Sequence, residues 1–338
     1  MNDITYIFGA GASCQAMPLV ENFTLRFGIF KKWLMSDQNI YEIIKEDLEE
    51  FLGAIESHLS FDTYFKKLFH QGKTDLIEKG KKVLVQYFLF EHLLETDTFR
   101  VLSSNIDIPD SAKKKFKVDP RYDALIAGLL KPIPAGTRFH TKINFITWNY
   151  DTHLITALKN FLAPQKTFTE FIEKYHGGIS FGISEEVKLF HLNGFINHPT
   201  LNTIPTAQNL LNYRSHSIGA ETNELKAAAK EIKFAWEQDL NFGILQNCIK
   251  NSNTVIMVGY SLPLYNREID TAYLSQEGLF GKTLIIQNKN PKDIADVLAA
   301  DFNISQWDEF TPEEEKITIK QSSNCNSFII PSYIFAKK

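Results

Sequence analysis

Two closely spaced glycines near the N-terminus are the clearest candidates for binding chemistry. The apolar run Ile4–Phe8 leads directly into Gly9-Ala10-Gly11-Ala12-Ser13. Glycines at the end of a strand let the backbone turn sharply and let a ligand approach the main chain closely. If a helix follows, its free N–H groups and its dipole form an anion site suited to a pyrophosphate. Because no matching third glycine follows Gly11, the G-x-G-x-x-G fingerprint is incomplete, and the segment fits either a phosphate site or a plain tight turn.

Polar residues also follow a second apolar run, Ile143–Thr147. The segment reads Thr147-Trp148-Asn149-Tyr150-Asp151. In open α/β sheets, ligands bind beyond the carboxyl ends of the strands. Thr147, Asn149 and Asp151 would supply hydrogen-bond donors and acceptors for ribose hydroxyls there. The same residues could instead turn the chain and cap the next helix, and the spacing leaves both interpretations open.

Three further strand candidates end in small or polar residues as well. They are Val187–Leu192 with His191, Asn193 and Gly194, Thr254–Val258 with Gly259 and Ser261, and Thr283–Gln287 with Asn288. A single histidine near a strand end is more often a hydrogen-bonded structural residue than a catalytic one. Five strands that all end this way, however, predict a polar rim along one edge of a sheet, which favours a nucleotide site.

The elements that would position this rim alternate between strands and helices. Helical patterns cover Thr152–Asn160 and Pro291–Ala300, and Asn223–Lys250 fits one long helix or two joined near Gly243. Runs that are apolar on both faces, such as Val255–Val258, suit a sheet covered by helices on both sides. We therefore predict an α/β fold with a Rossmann-like, doubly wound and mostly parallel sheet.

The interval between the first two strands is strongly helical, which predicts an inserted helical module at residues 20–142. We expect residues 1–338 to form a single domain, in which residues 143–300 complete the Rossmann-like core. Residues 301–338 would form a C-terminal edge segment, with candidate strands at Lys316–Lys320 and Ser327–Phe335. The polar, irregular stretch at residues 200–221 predicts a flap.

Composition excludes several classes of function. The chain has 36 basic and 40 acidic residues among 338, a net charge of −4, so we expect neither direct nucleic-acid binding nor a membrane partner. Cys14, Cys248 and Cys325 lie far apart and form no C-x-x-C pair, which argues against a zinc ribbon, and we expect no metal. No basic leader and no membrane-length apolar run is evident, so we expect a cytoplasmic protein.

Several segments, taken in order, resemble the bacterial sirtuin-like family, in the branch found in antiphage defence. Each is weak alone, but four in the family order are fairly specific, and together with two segments of the helical region they span about residues 1–290. The four are Gly9–Ser13, Thr147–Asp151, Leu192–Gly194 and Val258–Pro263, and the other two are Ser60–Phe65 and Arg121–Asp123.

The resemblance implies that the sheet binds NAD⁺ and that the reaction is hydrolysis of NAD⁺ to nicotinamide and ADP-ribose. Asn149 would position water or a ribose hydroxyl, and Asp151 would organise the loop or stabilise positive charge on the sugar. A histidine would act as general base. The residues expected to contact the dinucleotide are Gly9, Ala10, Gly11, Ala12, Ser13, Thr147, Asn193, Gly259, Ser261 and Asn288.

One position departs from the family pattern, in which histidine directly precedes the glycine. Here Asn193 precedes Gly194, and asparagine cannot act as a base. Because side chains two residues apart on a strand share a face, we expect His191, or a nearby histidine such as His198, to take that role. The alternative is a catalytically impaired subunit that binds NAD⁺ or ADP-ribose within an assembly.

The resemblance also implies partners. Family members often work beside a HerA-type hexameric ATPase or an Argonaute-type protein, so activation by a partner or by homo-oligomer assembly is expected. Protein deacylation is the less favoured activity, because deacylating sirtuins carry a four-cysteine zinc module that three cysteines cannot build.

Overall fold

The computed structural model describes residues 3–35, 38–58, 60–93, 104, 107–134, 136–177, 180–184, 186–196, 223–237, 242–305 and 312–336. The strands of this part of the chain form one large sheet and one small hairpin. They are β1 Asp3–Phe8, β2 Leu130–Ile133, β3 Gly136–Phe139, β4 Ile143–Thr147, β5 His176–Gly177, β6 Ser180–Ser184, β7 Val187–His191, β8 Ser252–Val258, β9 Thr283–Gln287 and β10 Thr318–Ser322.

The large sheet has the strand order β10-β9-β8-β1-β4-β7-β6-β5. Neighbours from β10 to β7 are parallel, whereas β7, β6 and β5 pair antiparallel. When the six parallel strands are renumbered 1 to 6 in chain order, their order across the sheet is 3-2-1-4-5-6, which is the order of dinucleotide-binding folds. The Rossmann-like, mostly parallel sheet predicted from the sequence is thus confirmed, and the winding direction changes between β1 and β8.

The carboxyl ends of the central strands lie level with one another. Phe8 of β1 pairs with Thr147 of β4 and with Val258 of β8. On the outer sides, Thr147 pairs with His191 and Val258 with Gln287. The residues that follow these strands therefore meet at one edge, as the rim predicted from the sequence requires.

Helices cover the sheet and fill the interval between β1 and β4. They are α1 Phe23–Met35, α2 Gln38–Glu56, α3 Phe61–His70, α4 Thr74–Leu93, α5 Pro120–Leu129, α6 His153–Leu162, α7 Phe168–Tyr175, α8 Asn223–Glu231, α9 Phe242–Asn251, α10 Arg267–Tyr273, α11 Gln276–Leu279 and α12 Pro291–Phe302. The first five, with the β2–β3 hairpin, fall within residues 20–142, where the sequence predicts a helical module. The domain bounds themselves stay a prediction.

Residues 223–250 hold two helices, one of the two arrangements that the sequence predicts. The first, α8, ends at Glu231, and the second, α9, starts at Phe242, one residue before Gly243. Two other sequence predictions need correction. The late strand lies at Thr318–Ser322, two residues beyond the expected start. Ser327–Phe335 contains no strand. There the Ile329 N–H donates to the Gln287 side chain at 3.1 Å, and a short 3-10 turn follows.

The flap predicted at residues 200–221 lies outside the described residues. In the part of the chain that is described, no helix is both long enough and apolar enough to span a bilayer.

Candidate functional site

A cavity of about 760 Å³ lies at the carboxyl ends of β1, β4 and β8. Most of the site residues predicted from the sequence line it, together with residues of the helical region and the C-terminal segment. The predicted residues that line it are Gly9, Ala10, Gly11, Asn149, Asp151, Asn193, Gly259, Ser261 and Asn288. Four others, Ala12, Ser13, Thr147 and His191, do not line it.

The glycines are required because the loop after β1 lies directly against the loop after β8. A Cβ on Gly9 would lie 2.6 Å from Tyr260 Cα, and a Cβ on Gly11 would lie 2.8 Å from Gly259 Cα. Gly259 has a φ of +58°, and its Cβ would lie 2.4 Å from the Ala12 nitrogen. These distances are shorter than a Cβ atom tolerates, so glycine is needed here for the close approach of the two backbones.

The anion site expected at the start of a helix needs correction. Only a four-residue 3-10 turn, Ala10–Ser13, follows Gly9, and α1 begins at Phe23. Two loop N–H groups already have backbone acceptors, because Gly9 donates to Val258 O at 3.0 Å and Gly11 donates to Gly259 O at 3.0 Å. A phosphate would therefore meet the exposed tip of this loop at Ala10, not the end of a long helix dipole.

Ser13 does not line the cavity but holds the polar residues that do. Asn149 Nδ2 donates to Ser13 Oγ at 3.2 Å, and the Tyr122 hydroxyl lies 3.0 Å from the same oxygen. Burial raises the pKa of Asp151, and a hydrogen bond with Ser13 opposes that rise. Ser13 therefore connects the loop after β1 to the loop after β4.

Thr147 and Asp151 also organise the backbone, as the second interpretation of the sequence anticipated. Thr147 Oγ1 accepts a hydrogen bond from the Asn149 N–H at 3.1 Å. Asp151 Oδ1 accepts one from the His153 N–H at 3.1 Å, in the first turn of α6. Since Asp151 also lines the cavity, turning the chain and facing a ligand are compatible for this residue.

The structure does not bring His191 to the cavity. His191 is the last residue of β7, is 1% exposed and packs against Phe195 with ring centroids 5.2 Å apart. His191 and Asn193 do not share a strand face as predicted, because the strand ends at His191 and the chain turns at Gly194 with a φ of +66°. His198 lies outside the described residues.

Asn193 lines the cavity, yet both ends of its amide have protein partners. Its Nδ2 donates to Trp148 O at 3.0 Å, and its Oδ1 accepts from the Ala235 N–H at 3.3 Å. The side chain thus bridges the loop after β4 and the segment after α8. Among the described residues, no histidine lines this cavity.

Two histidines that sequence reasoning missed lie close to Asp151. His92 and His153 stack with centroids 5.2 Å apart, and burial lowers the pKa of each to about 3. Thr152 N–H can only donate, so His92 Nε2 accepts at 3.2 Å and His92 Nδ1 donates to Phe88 O at 2.9 Å. Both rings are therefore neutral supports of the loop after β4.

Arg121 is a third residue with a role that sequence reasoning missed. It is 4% exposed and pairs with buried Asp119 at 2.5 Å. Its Nη2 donates to Ala12 O at 2.8 Å and its Nη1 donates to Cys325 O at 2.8 Å. Arg121 therefore ties the glycine loop to the C-terminal segment, whose residue Cys325 lines the cavity. Asp119-Pro120-Arg121 indicates a helix start, but nothing in it indicates these contacts.

Asp62 is a buried acid that lines the cavity and was not among the predicted site residues. Ser60 caps α3 by accepting from the Thr63 N–H, which places Asp62 in the first turn. The Tyr150 hydroxyl donates to Asp62 Oδ1 at 2.6 Å. Burial raises the pKa of Asp62 to about 6, and hydrogen bonds from Tyr150 and Tyr265 oppose the rise.

Asp270 is a similar acid that does not line the cavity. It is fully buried and accepts from the Tyr260 hydroxyl at 2.7 Å and the Tyr273 hydroxyl at 3.0 Å. Burial raises its pKa to about 7, again against the two hydrogen bonds. Tyr260 stacks on Trp148 with centroids 5.6 Å apart, and both rings line the cavity. Asp270 therefore supports the wall from behind.

We expect Asp270 to make the protein less stable as the pH rises. The pKa of Asp270 is about 7 in the folded state and near 3.8 in the unfolded state. Its contribution to the free energy of unfolding is therefore complete below pH about 4 and is lost as the pH rises through about 7. The pKa difference between the two states corresponds to about 4 kcal/mol. Urea unfolding at pH 5 and pH 8 should show a larger loss of stability for the wild type than for Asp270→Asn. Asp296→Asn, at an exposed position of α12, is the control and should follow the wild type. Equal pH dependence in wild type and Asp270→Asn would contradict this.

In the described residues, no group of three or more His, Cys, Asp or Glu side chains could hold a metal ion. No model of a known protein family matches the chain, and no curated protein matches it.

Proposed function

We propose that this protein binds NAD⁺ in the cavity and hydrolyses it to nicotinamide and ADP-ribose. One observation carries the proposal: the loops after β1, β4 and β8 line a single cavity at the point where the winding of the sheet reverses. Dinucleotides bind at this place in doubly wound sheets. The resemblance of Gly9–Ser13 and Thr147–Asp151 to sirtuin-like segments supports NAD⁺ as that dinucleotide.

The residues of the cavity suit the chemistry of this reaction. The bond between ribose C1′ and the pyridinium nitrogen breaks, and nicotinamide leaves as a neutral molecule that needs no proton. The sugar carries developing positive charge, as in glycoside hydrolysis, so nearby carboxylates such as Asp151 stabilise it. Asn149 orients water or a ribose hydroxyl. Water adds its oxygen to C1′, and its proton passes to a carboxylate that lines the cavity.

A second function, binding of NAD⁺ or ADP-ribose without turnover, is favoured by one observation. His191 does not line the cavity, and Asn193, at the family's histidine position, has both its amide nitrogen and its amide oxygen hydrogen-bonded within the protein. On this alternative the protein is an assembly subunit that responds to the dinucleotide.

Asn149→Ala should abolish release of nicotinamide, because it removes the side chain that orients water or the ribose. Asn160→Ala, the same change at an exposed position of α6, is the control. Purified variants would be incubated with NAD⁺, with and without the product of the neighbouring gene, and free nicotinamide measured by chromatography. NAD⁺ binding with no nicotinamide in any sample would instead support the binding subunit, and full activity of Asn149→Ala would refute the role of Asn149.

We further propose that the hydrolase is a cytoplasmic effector of bacterial antiphage defence. Unregulated loss of NAD⁺ would kill the host, so activity would depend on homo-oligomer assembly or on a partner such as a HerA-type ATPase or an Argonaute-type protein. Formation of acyl-ADP-ribose from an acylated peptide would point instead to deacylation.

A further inference from the structure

Part of the cavity wall consists of aromatic rings around one buried carboxyl group. We call Phe23, Phe61, Phe88 and Tyr150 the aromatic wall, since all four line the cavity. Phe61 and Phe88 lie 5.6 Å and 5.5 Å from Tyr150 between ring centroids, and Phe23 lies 4.9 Å from Phe61. The first three come from the helical region, so this region supplies much of the apolar surface that a ligand would meet.

Asp62 is the carboxyl group set into this wall. It is 4% exposed, and its two side-chain donors, the hydroxyls of Tyr150 and Tyr265, are neutral. The negative charge of ionised Asp62 is therefore not balanced by any cation among these partners.

The charges of the side chains that line the cavity also favour a cationic ligand. Among the described lining residues, Glu21, Asp62 and Asp151 are acidic, and Lys289 is the one cationic side chain. Glu21 and Lys289 are exposed, whereas Asp62 and Asp151 are buried. A carboxylate attracts a cation more strongly away from water, and the faces of aromatic rings attract cations as well. A flat, positively charged ring is the ligand group that this wall would hold best.

We propose that Asp62 and the aromatic wall select the ligand by the positive charge of its heteroaromatic ring, so that the cavity takes NAD⁺ in preference to NADH. This inference rests on the proposed function, and it assigns the preference for NAD⁺ over NADH to residues of the helical region. NAD⁺ and NADH share their adenosine, pyrophosphate and second ribose, and they differ in the charge and planarity of the nicotinamide ring. Asp62 is the residue whose negative charge distinguishes the two rings.

The test is calorimetric titration of the wild type and Asp62→Asn with NAD⁺ and with NADH. Asparagine has the same shape and keeps an oxygen for the Tyr150 hydroxyl, but it has no charge. We expect the wild type to bind NAD⁺ about tenfold more tightly than NADH, which is a modest gain for one charge contact. Asp62→Asn should lose most of that preference through weaker NAD⁺ binding, with NADH affinity little changed.

Asp296→Asn is the control, because Asp296 is an acid at an exposed position of α12 and does not line the cavity. It should keep the wild-type preference. Equal wild-type affinities, or an unchanged preference in folded Asp62→Asn, would overturn this inference and leave the proposed function standing. The wild-type comparison needs no variant, so misfolding cannot obscure it. If neither nucleotide binds the wild type, the proposed function falls and the inference with it.

Discussion

Gly259→Ala is expected to prevent nucleotide binding and to lower the free energy of unfolding by at least about 3 kcal/mol. Two costs combine. The left-handed backbone at φ +58° is unfavourable for alanine, and the new Cβ would lie 2.4 Å from both the Ala12 nitrogen and the Gly11 carbonyl carbon. Those atoms belong to the backbone of the glycine loop, which cannot turn aside as a flexible side chain would. The two loops must separate, and the cavity loses its shape.

Gly72→Ala separates these two costs. Gly72 has a φ of +66°, close to that of Gly259, but a Cβ there would meet no atom within 4 Å. Its loss of stability should be only the conformational part, about 1–2 kcal/mol, and NAD⁺ binding should be unchanged. Urea unfolding and calorimetric titration of both variants provide the comparison. Equal destabilisation of the two variants would show that the contact between the loops is not what requires glycine.

Arg121→Met is expected to cost about 3–5 kcal/mol of stability, because it leaves the carboxylate of Asp119 buried without its cation. Asp119 is 0% exposed and Arg121 4% exposed. The substitution also removes the donors to Ala12 O and Cys325 O, which fasten two segments that border the cavity. Nucleotide affinity should therefore fall together with stability.

A double-mutant cycle separates the ion pair from these backbone contacts. Asp119→Asn keeps an oxygen that can cap α5, where Asp119 Oδ1 now accepts from the Arg121 N–H. The double variant has no buried charge at this place, so it should be less destabilised than the sum of the two single variants. Additive losses, measured by urea unfolding, would mean that the pair contributes no coupling. Nucleotide affinity should stay low in the double variant, because the two carbonyl contacts remain absent.

The positions of β1, β4, β7, β8 and β9 could be predicted because each is a short apolar run that ends in glycine or a polar residue, whereas β10 is polar and largely exposed. Ile143–Thr147 and Thr283–Gln287 have the predicted bounds. Given these runs, the alternation with helices leads to a doubly wound sheet. Ser327–Phe335 was misjudged because an apolar run can contact the sheet through side-chain hydrogen bonds without forming a ladder. Here Gln287 donates to Ser327 O and accepts from the Ile329 N–H.

The candidate site was less predictable, because burial and orientation are not local properties. His191 and Asn193 are two residues apart, yet a turn that begins after His191 directs them to different surroundings. Arg121 and Asp62 act through contacts more than 85 residues away along the chain, to Ala12 and to Tyr150. Nothing in their neighbourhoods in the sequence indicates those partners.

By itself, the sequence determined which residues stand at the ends of the strands, and thus the glycine loop and the polar segment after β4. These follow from local chemistry: apolar runs form buried strands, and glycine or polar residues end them. Only the tertiary structure decided which of them face the cavity, that Gly9 and Gly11 meet Gly259, and that Asp62 joins the site from the helical region. Those outcomes depend on how distant segments pack together, because a side chain's exposure and pKa are set by neighbours that the local sequence does not contain.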